Sequence, residues 1–207
     1  MGVIVVGSAS GNGAEVDASG NQMSADGLPA TPAAGGFYTV AGSTGAVIAA
    51  ALAANTMLAS MRLAALSSRK AYITRMRALI SVGTVGASAG VSGTLLLQRF
   101  TAQTPTGGTQ RTVNRLNEPL GTISDITDIR DSNAALTGSA PTFGTVIAAT
   151  MVPLFISGGA MWCEWIVEPA YPIVLQPGDG LCLRTGSIAQ AATQTWQYSY
   201  TYHWHEK

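Results

Sequence analysis

The chain has 207 residues, 47% of them hydrophobic and 11% charged, and its eleven basic and eleven acidic side chains cancel. That is enough apolar material for one sizeable core, while the charged share is less than half of the roughly 25% usual in globular proteins. The balance excludes the basic footprint of a nucleic-acid binder, and little of the surface is composed to face water alone.

Residues 1–45 are rich in Gly, Ala and Ser, with Pro29 and Pro32 and only Phe37 and Tyr38 as aromatics. Burying so little apolar surface cannot offset the entropy of ordering. This stretch is therefore expected to be an extended N-terminal arm laid on neighbouring subunits. Its first seven residues are apolar but lack the positive region of a secretory signal. No charge occurs between Gly27 and Met61. Residues 40–61 are nonetheless dominated by Ala, Gly, Ser, Thr and Asn, so no membrane span is expected there.

Beyond the arm, residues 46–54 and 56–66 are Ala-rich, which leaves helix and strand both open; strand is the reading adopted. Residues 70–82 read as a strand, with Tyr72, Thr74, Met76, Ala78, Ile80 and Val82 on one face and Arg69, Arg75 and Arg77 sharing the other. Next come a strand over 93–101, a loop through Thr104, Pro105, Thr106, Gly107 and Gly108, and a short segment over 111–116. A weaker stretch, 123–136, carries Asp125, Asp128, Arg130 and Asp131. Residues 143–150, 151–156 and 161–167 read as three strands. Residues 173–175 and 181–184 flank Pro177-Gly178, where Pro presets the backbone of the second turn position and Gly accepts a positive φ at the third, predicting a type II turn.

The C-terminal end carries the firmest local signal. Trp196, Tyr198, Tyr200, Tyr202 and Trp204 take every second position, with Thr195, Gln197, Ser199, Thr201, His203 and His205 between them. A period of two places the aromatics on one face of a half-buried strand, as core or subunit interface. Eight or more short strands separated by turn signals then predict an all-β domain over 46–207, an antiparallel β-sandwich or barrel.

Catalytic patterns are sparse. The chain has two histidines, both within five residues of Lys207, and no Gly-x-Ser-x-Gly elbow. His203 and His205 share a strand face and could supply two metal ligands, but no third is evident and Glu206 points the other way. Asp125, Asp128 and Asp131, with Glu118 before them, lack the spacing of a calcium loop and are expected to cap turns or pair with Arg130. Glu164 and Glu168 do not make an acid–base pair. The Gly-rich run at 7–13 has no following helix or Lys-Ser/Thr of a phosphate loop. Cys163 and Cys182 have no metal-binding spacing and are expected to be small core residues; a disulfide between them is left open by sequence. No cofactor is predicted.

The succession of Ala71-Tyr72-Ile73, a Gly/Thr-rich central loop, Trp162-Cys163-Glu164-Trp165, residues 173–184 with their Pro-Gly-x-Gly turn, and a terminal aromatic strand closing in Trp204-His205-Glu206 resembles small jelly-roll structural proteins of tailed bacteriophages. The likeness covers residues 69–207. It implies a jelly-roll-like sandwich and a non-enzymatic virion component, a capsid decoration or tail-associated protein assembled in the host cytoplasm. The expected partners are copies of itself and a major capsid or tail protein. Phe37 and Tyr38 of the arm and Thr104, Pro105, Thr106 and Arg111 of the long loop are the residues expected to reach them. The alternative is a carbohydrate-recognition module of a phage receptor-binding protein, with glycan rings stacking on the Trp and Tyr stripe.

Overall fold

Alternating aromatics produce a strand with one wholly buried face. β15 (Thr195–Glu206) is extended, and its five aromatic rings are each 2% exposed or less while Gln197 between them is open to solvent. The computed structural model that shows this describes residues 5–6, 13–14, 36–44, 47–48, 52–84, 93–101, 104–116, 123–137, 141–151, 160–166, 172–188 and 195–207.

β15 runs antiparallel between β6 (Ala71–Thr84) and β3 (Phe37–Ser43). Outside these lie β12 (Ala160–Ile166) and β9 (Asn114–Arg115), in the order β12-β6-β15-β3-β9. β13 (Ile173–Leu175) adds to β6 and β4 (Val47–Ile48) to β15. The other large sheet is formed by β11 (Thr142–Met151), β7 (Thr94–Thr101), β14 (Gly180–Thr185), β5 (Met57–Arg62), β10 (Asp128–Asp131) and β8 (Thr109–Gln110), in that order. β1 (Val5–Val6) and β2 (Gly13–Ala14) pair with each other, apart from both large sheets. Every pairing is antiparallel, and no helix occurs among the described residues.

The fold is an all-β sandwich. Leu58, Met61, Leu95, Leu97, Ile129, Leu181 and Leu183 of one sheet meet Tyr38, Val40, Ile73, Met76, Ile80 and the aromatic stripe of the other in a continuous core. Each large side chain removed from water contributes about 1.5–3 kcal/mol. A polar tie crosses the same core, where the Tyr198 hydroxyl donates to the carbonyls of Leu58 (2.8 Å) and Ser132 (2.9 Å). Burial raises the Tyr198 phenol well above its ordinary value, so the hydroxyl keeps the proton it donates.

Strand order follows a simple rule. Among the eight longest strands, β3, β5, β6, β7, β11, β12, β14 and β15, the first pairs with the last, the second with the seventh, the third with the sixth and the fourth with the fifth. The tight turn joining β13 to β14 is type II in its backbone: Gly178 has φ of +88°, and the Asp179 N–H donates to the Gln176 carbonyl at 2.9 Å.

Several expectations need correction. Residues 36–44, assigned to the arm, belong to the sandwich: β3 pairs with β15 from His205↔Phe37 to Ser199↔Ser43, and Tyr38 is fully buried. Its small residues are there for close approach, since a Cβ on Gly42 would come within 2.5 Å of the Tyr200 ring and 2.4 Å of the Asp131 carboxylate. Apart from β1 and β2, the rest of the proposed arm lies outside the described residues. The phase of β6 also changes midway. Trp204 faces Ile73 but His203 faces Arg75, so Thr74 is a bulged extra residue. Ala71 and Ile73 therefore join Met76, Ala78 and Ile80 in the core, and Tyr72 and Thr74 turn outward with the arginines. Met151, expected to start a separate strand, closes β11, and residues 152–156 lie outside the described set. The stretch 40–61 divides between strands of the two sheets, and among the described residues no helix is long and apolar enough to cross a membrane.

Candidate functional site

At one side of the sandwich both sheets end in two-residue strands. β8 closes one sheet and β9 the other, and Arg111-Thr112-Val113 carries the chain across the gap between them. Residues 123–127 return along the same side toward β10. Between the crossing and returning segments lies a cleft of about 530 Å³ lined by Tyr38, Gln110, Arg111, Thr112, Val113, Arg115, Ile123, Ser124, Ile126 and Thr127. That volume lies in the range of ligand-sized sites. No carboxylate among the described residues lines it, and Ile123 stands 73% exposed at its rim, with the neighbouring Leu116 54% exposed.

The cleft is braced from both sides. On one, Arg111 spans Asp131 with Nε to Oδ2 at 2.6 Å and Nη2 to Oδ1 at 2.9 Å, and donates to the Ser43 carbonyl at 2.9 Å. Tyr200 adds its hydroxyl to Asp131 Oδ2 at 2.8 Å. Asp131 is 1% exposed, so this carboxylate is held by a planar bidentate partner and one phenol rather than by water. The hydrogen bond to Asp131 is the main reason the Arg111 guanidinium is pushed above its ordinary pKa. Beyond Arg111 a second cleft of about 210 Å³ opens between Ser43, Thr44, Gly108, Thr109 and Asn133, so the Arg111–Asp131 pair forms the partition.

On the other side, residues 123–126 are tied to the end of β15. Glu206 is fully buried and accepts from Ser124 Oγ, from the Asp125 backbone N–H at 2.9 Å and from Trp204 Nε1 at 3.1 Å, with Arg69 Nη1 at 3.2 Å. Arg69 also pairs with Asp125 and donates to the Ile123 carbonyl at 2.8 Å. The Arg69 hydrogen bond holds the Asp125 carboxyl below its ordinary pKa.

The predicted site residues are scattered. Tyr38 forms the cleft floor, buried in its own subunit rather than presented to another, and Arg111 is its partition. Phe37 lies half-buried on the outer face, 5.5 Å from the His205 ring. Thr104 is exposed and accepts from Arg62 Nη1 at 2.6 Å, Pro105 is buried, and Thr106 is exposed but bridged to Thr137 through both backbone groups. Trp196, Tyr198, Tyr200, Tyr202 and Trp204 are core, which removes the platform a stacked sugar would need. The three aspartates are each taken by a separate guanidinium, Arg69 for Asp125, Arg130 for Asp128 and Arg111 for Asp131. Arg69 therefore does not act with Arg75 and Arg77, which converge instead on Glu164 across β12. Cys182 is a free thiol buried in one sheet while Cys163 sits on β12 in the other, and burial pushes the Cys182 pKa up to about 12.

The two histidines differ in burial, His203 being half-buried and His205 buried. His205 is 5% exposed and lies flat on Tyr72, with centroids 4.9 Å apart and planes 3° from parallel. Burial, with a lesser effect of Lys207, lowers its pKa to about 4. Below its unfolded pKa of about 6.5 the unfolded chain takes up a proton that the folded one refuses until about pH 4. Stability contributed by neutral His205 is thus complete above that unfolded value and lost as pH falls toward 4, on the order of 3 kcal/mol in all. Urea unfolding of wild type and His205→Phe between pH 7 and 4 should show the slope in the first and its near absence in the second. Equal slopes would locate the proton elsewhere.

Nothing in the sequence announces the cleft, because its walls come from segments that are brought together only by the two sheets. The segment from Gln110 to Leu116 shows no polar-apolar alternation in its sequence, although its exposure alternates residue by residue once folded. Compared with family models, with curated proteins and with solved structures, the chain matches none.

Proposed function

We propose that this chain is a non-enzymatic structural subunit of a tailed-bacteriophage particle, a jelly-roll sandwich that acts by binding copies of itself and a major capsid or tail protein. The strand order supports the jelly-roll reading, since nested pairing of first with last and fourth with fifth is what a long hairpin of four strand pairs gives when it wraps into two sheets.

The observation that carries the assembly reading is β11. Among the described residues it lies at the edge of its sheet and pairs only with β7, and it contains no charged residue over its whole length, with Val146 43% and Met151 55% exposed. Free-standing sandwiches blunt such edges with lysines or prolines. Among the described residues two register shifts within β11 are the only protection, and the stretch Ala148–Met151 is regular. An uncharged edge on a chain with so few ions is suited to burial against another polypeptide.

Sedimentation velocity with negative-stain electron microscopy of the full chain tests the proposal. A closed symmetric oligomer, weakened by Met151→Lys, is the expected result. A monomer at every concentration, unchanged by that substitution, overturns it.

A further inference from the structure

The cleft carries an inference that rests on the assembly reading and gives it an address. Arg115 lines the cleft and is half-buried, and its guanidinium makes no hydrogen bond or ion pair among the described residues. A cation in a cleft to which the described residues bring no carboxylate, rimmed by Val113 and the exposed Ile123, is complementary to an acidic segment with an apolar side chain. The chain itself contains one. Its first 45 residues hold three acids, Glu15, Asp17 and Asp26, and no base, whereas all eleven bases and eight acids lie beyond. Glu15-Val16-Asp17 follows directly on β2, which among the described residues pairs only with β1.

We propose that the cleft of one subunit receives the Glu15-Val16-Asp17 stretch of a second copy of the chain. In an extended segment the two carboxylates project to one side about 7 Å apart and the valine to the other. The carboxylates meet Arg115 and the donors beside it, Gln110 and Thr112, and Val16 covers the apolar wall of Val113 and Ile123. Because donor segment and receiving cleft are different surfaces, the contact is head-to-tail, and it closes into a ring when the rotation between subunits permits.

The test uses two full-length variants, Arg115→Glu and the double change Glu15→Lys with Asp17→Lys, followed by sedimentation velocity at 50 and 300 mM salt. Each alone should raise the concentration for half-assembly by about 30-fold or more, with wild-type assembly itself weakened by salt. Mixing the two variants should restore assembly, since each then offers the other a complementary surface. The second variant changes no residue in a strand of either large sheet, so it answers even if Arg115→Glu misfolds. Unchanged assembly of the Lys variant overturns the proposal while leaving the assembly reading standing. Recovery only when both sets of changes are in one chain assigns the cleft to the subunit's own segment and also overturns it. A wild type that never assembles overturns both.

Discussion

Arg111→Ala should cost about 3–5 kcal/mol of unfolding free energy, the range for removing one partner of a buried ion pair. Asp131 is 1% exposed and has as its donors the two guanidinium bonds and the Tyr200 hydroxyl. Deleting the arginine leaves a charge that burial makes expensive and that a single phenol must hold. It also releases the Ser43 carbonyl at the end of β3. Asp131→Asn, which keeps an acceptor for Tyr200, should cost less, and the double variant less than the sum of the two. A cycle of urea denaturation curves gives the coupling, expected at about 1–3 kcal/mol. A loss below about 1 kcal/mol for Arg111→Ala would mean that water reaches the carboxylate, and the partition between the clefts would have to be redrawn.

Trp204→Ala should be comparably severe, about 3–5 kcal/mol. The ring is fully buried, stacks on Tyr38 with centroids 5.6 Å apart and donates its indole N–H to Glu206. Truncation leaves a cavity in the core beside Tyr38 and removes one of the donors that hold a fully buried carboxylate. Trp204→Phe separates these effects, because it refills most of the volume but lacks the donor. It should cost about half as much, consistent with one hydrogen bond to a charged group. Chemical denaturation followed by far-ultraviolet circular dichroism measures both variants. A phenylalanine variant as stable as wild type would show that Glu206 is satisfied by Ser124, Arg69 and the Asp125 backbone alone.

What could be read from the sequence was what lies within a few residues. Period-two aromatics specify β15 because alternation is a local consequence of extended backbone, and Pro177-Gly178 specifies its turn because both angles belong to those two residues. The phase change at Thr74 was not readable, since a bulge is a relation between β6 and β15 and leaves no mark on either alone. β3 was hidden for a different reason. Its composition is that of a flexible segment, and Gly42 reads as looseness until Tyr200 and Asp131 are seen to need the space. The site was the least legible part. Arg111, Asp131 and Tyr200 stand on separate elements, and Arg69, Ser124 and Glu206 likewise come together only once β15 is in place.

The nested strand order has a consequence for how the sandwich can be made. β15 fills the space between β3 and β6, so a chain halted before Thr195 holds a slot one strand wide, walled by two unsatisfied backbone ladders and floored by apolar side chains. Such an intermediate is a ready acceptor for a donor strand. The correct donor is distinguished by its five rings, since a visitor lacking them would satisfy the ladders and leave the floor wet.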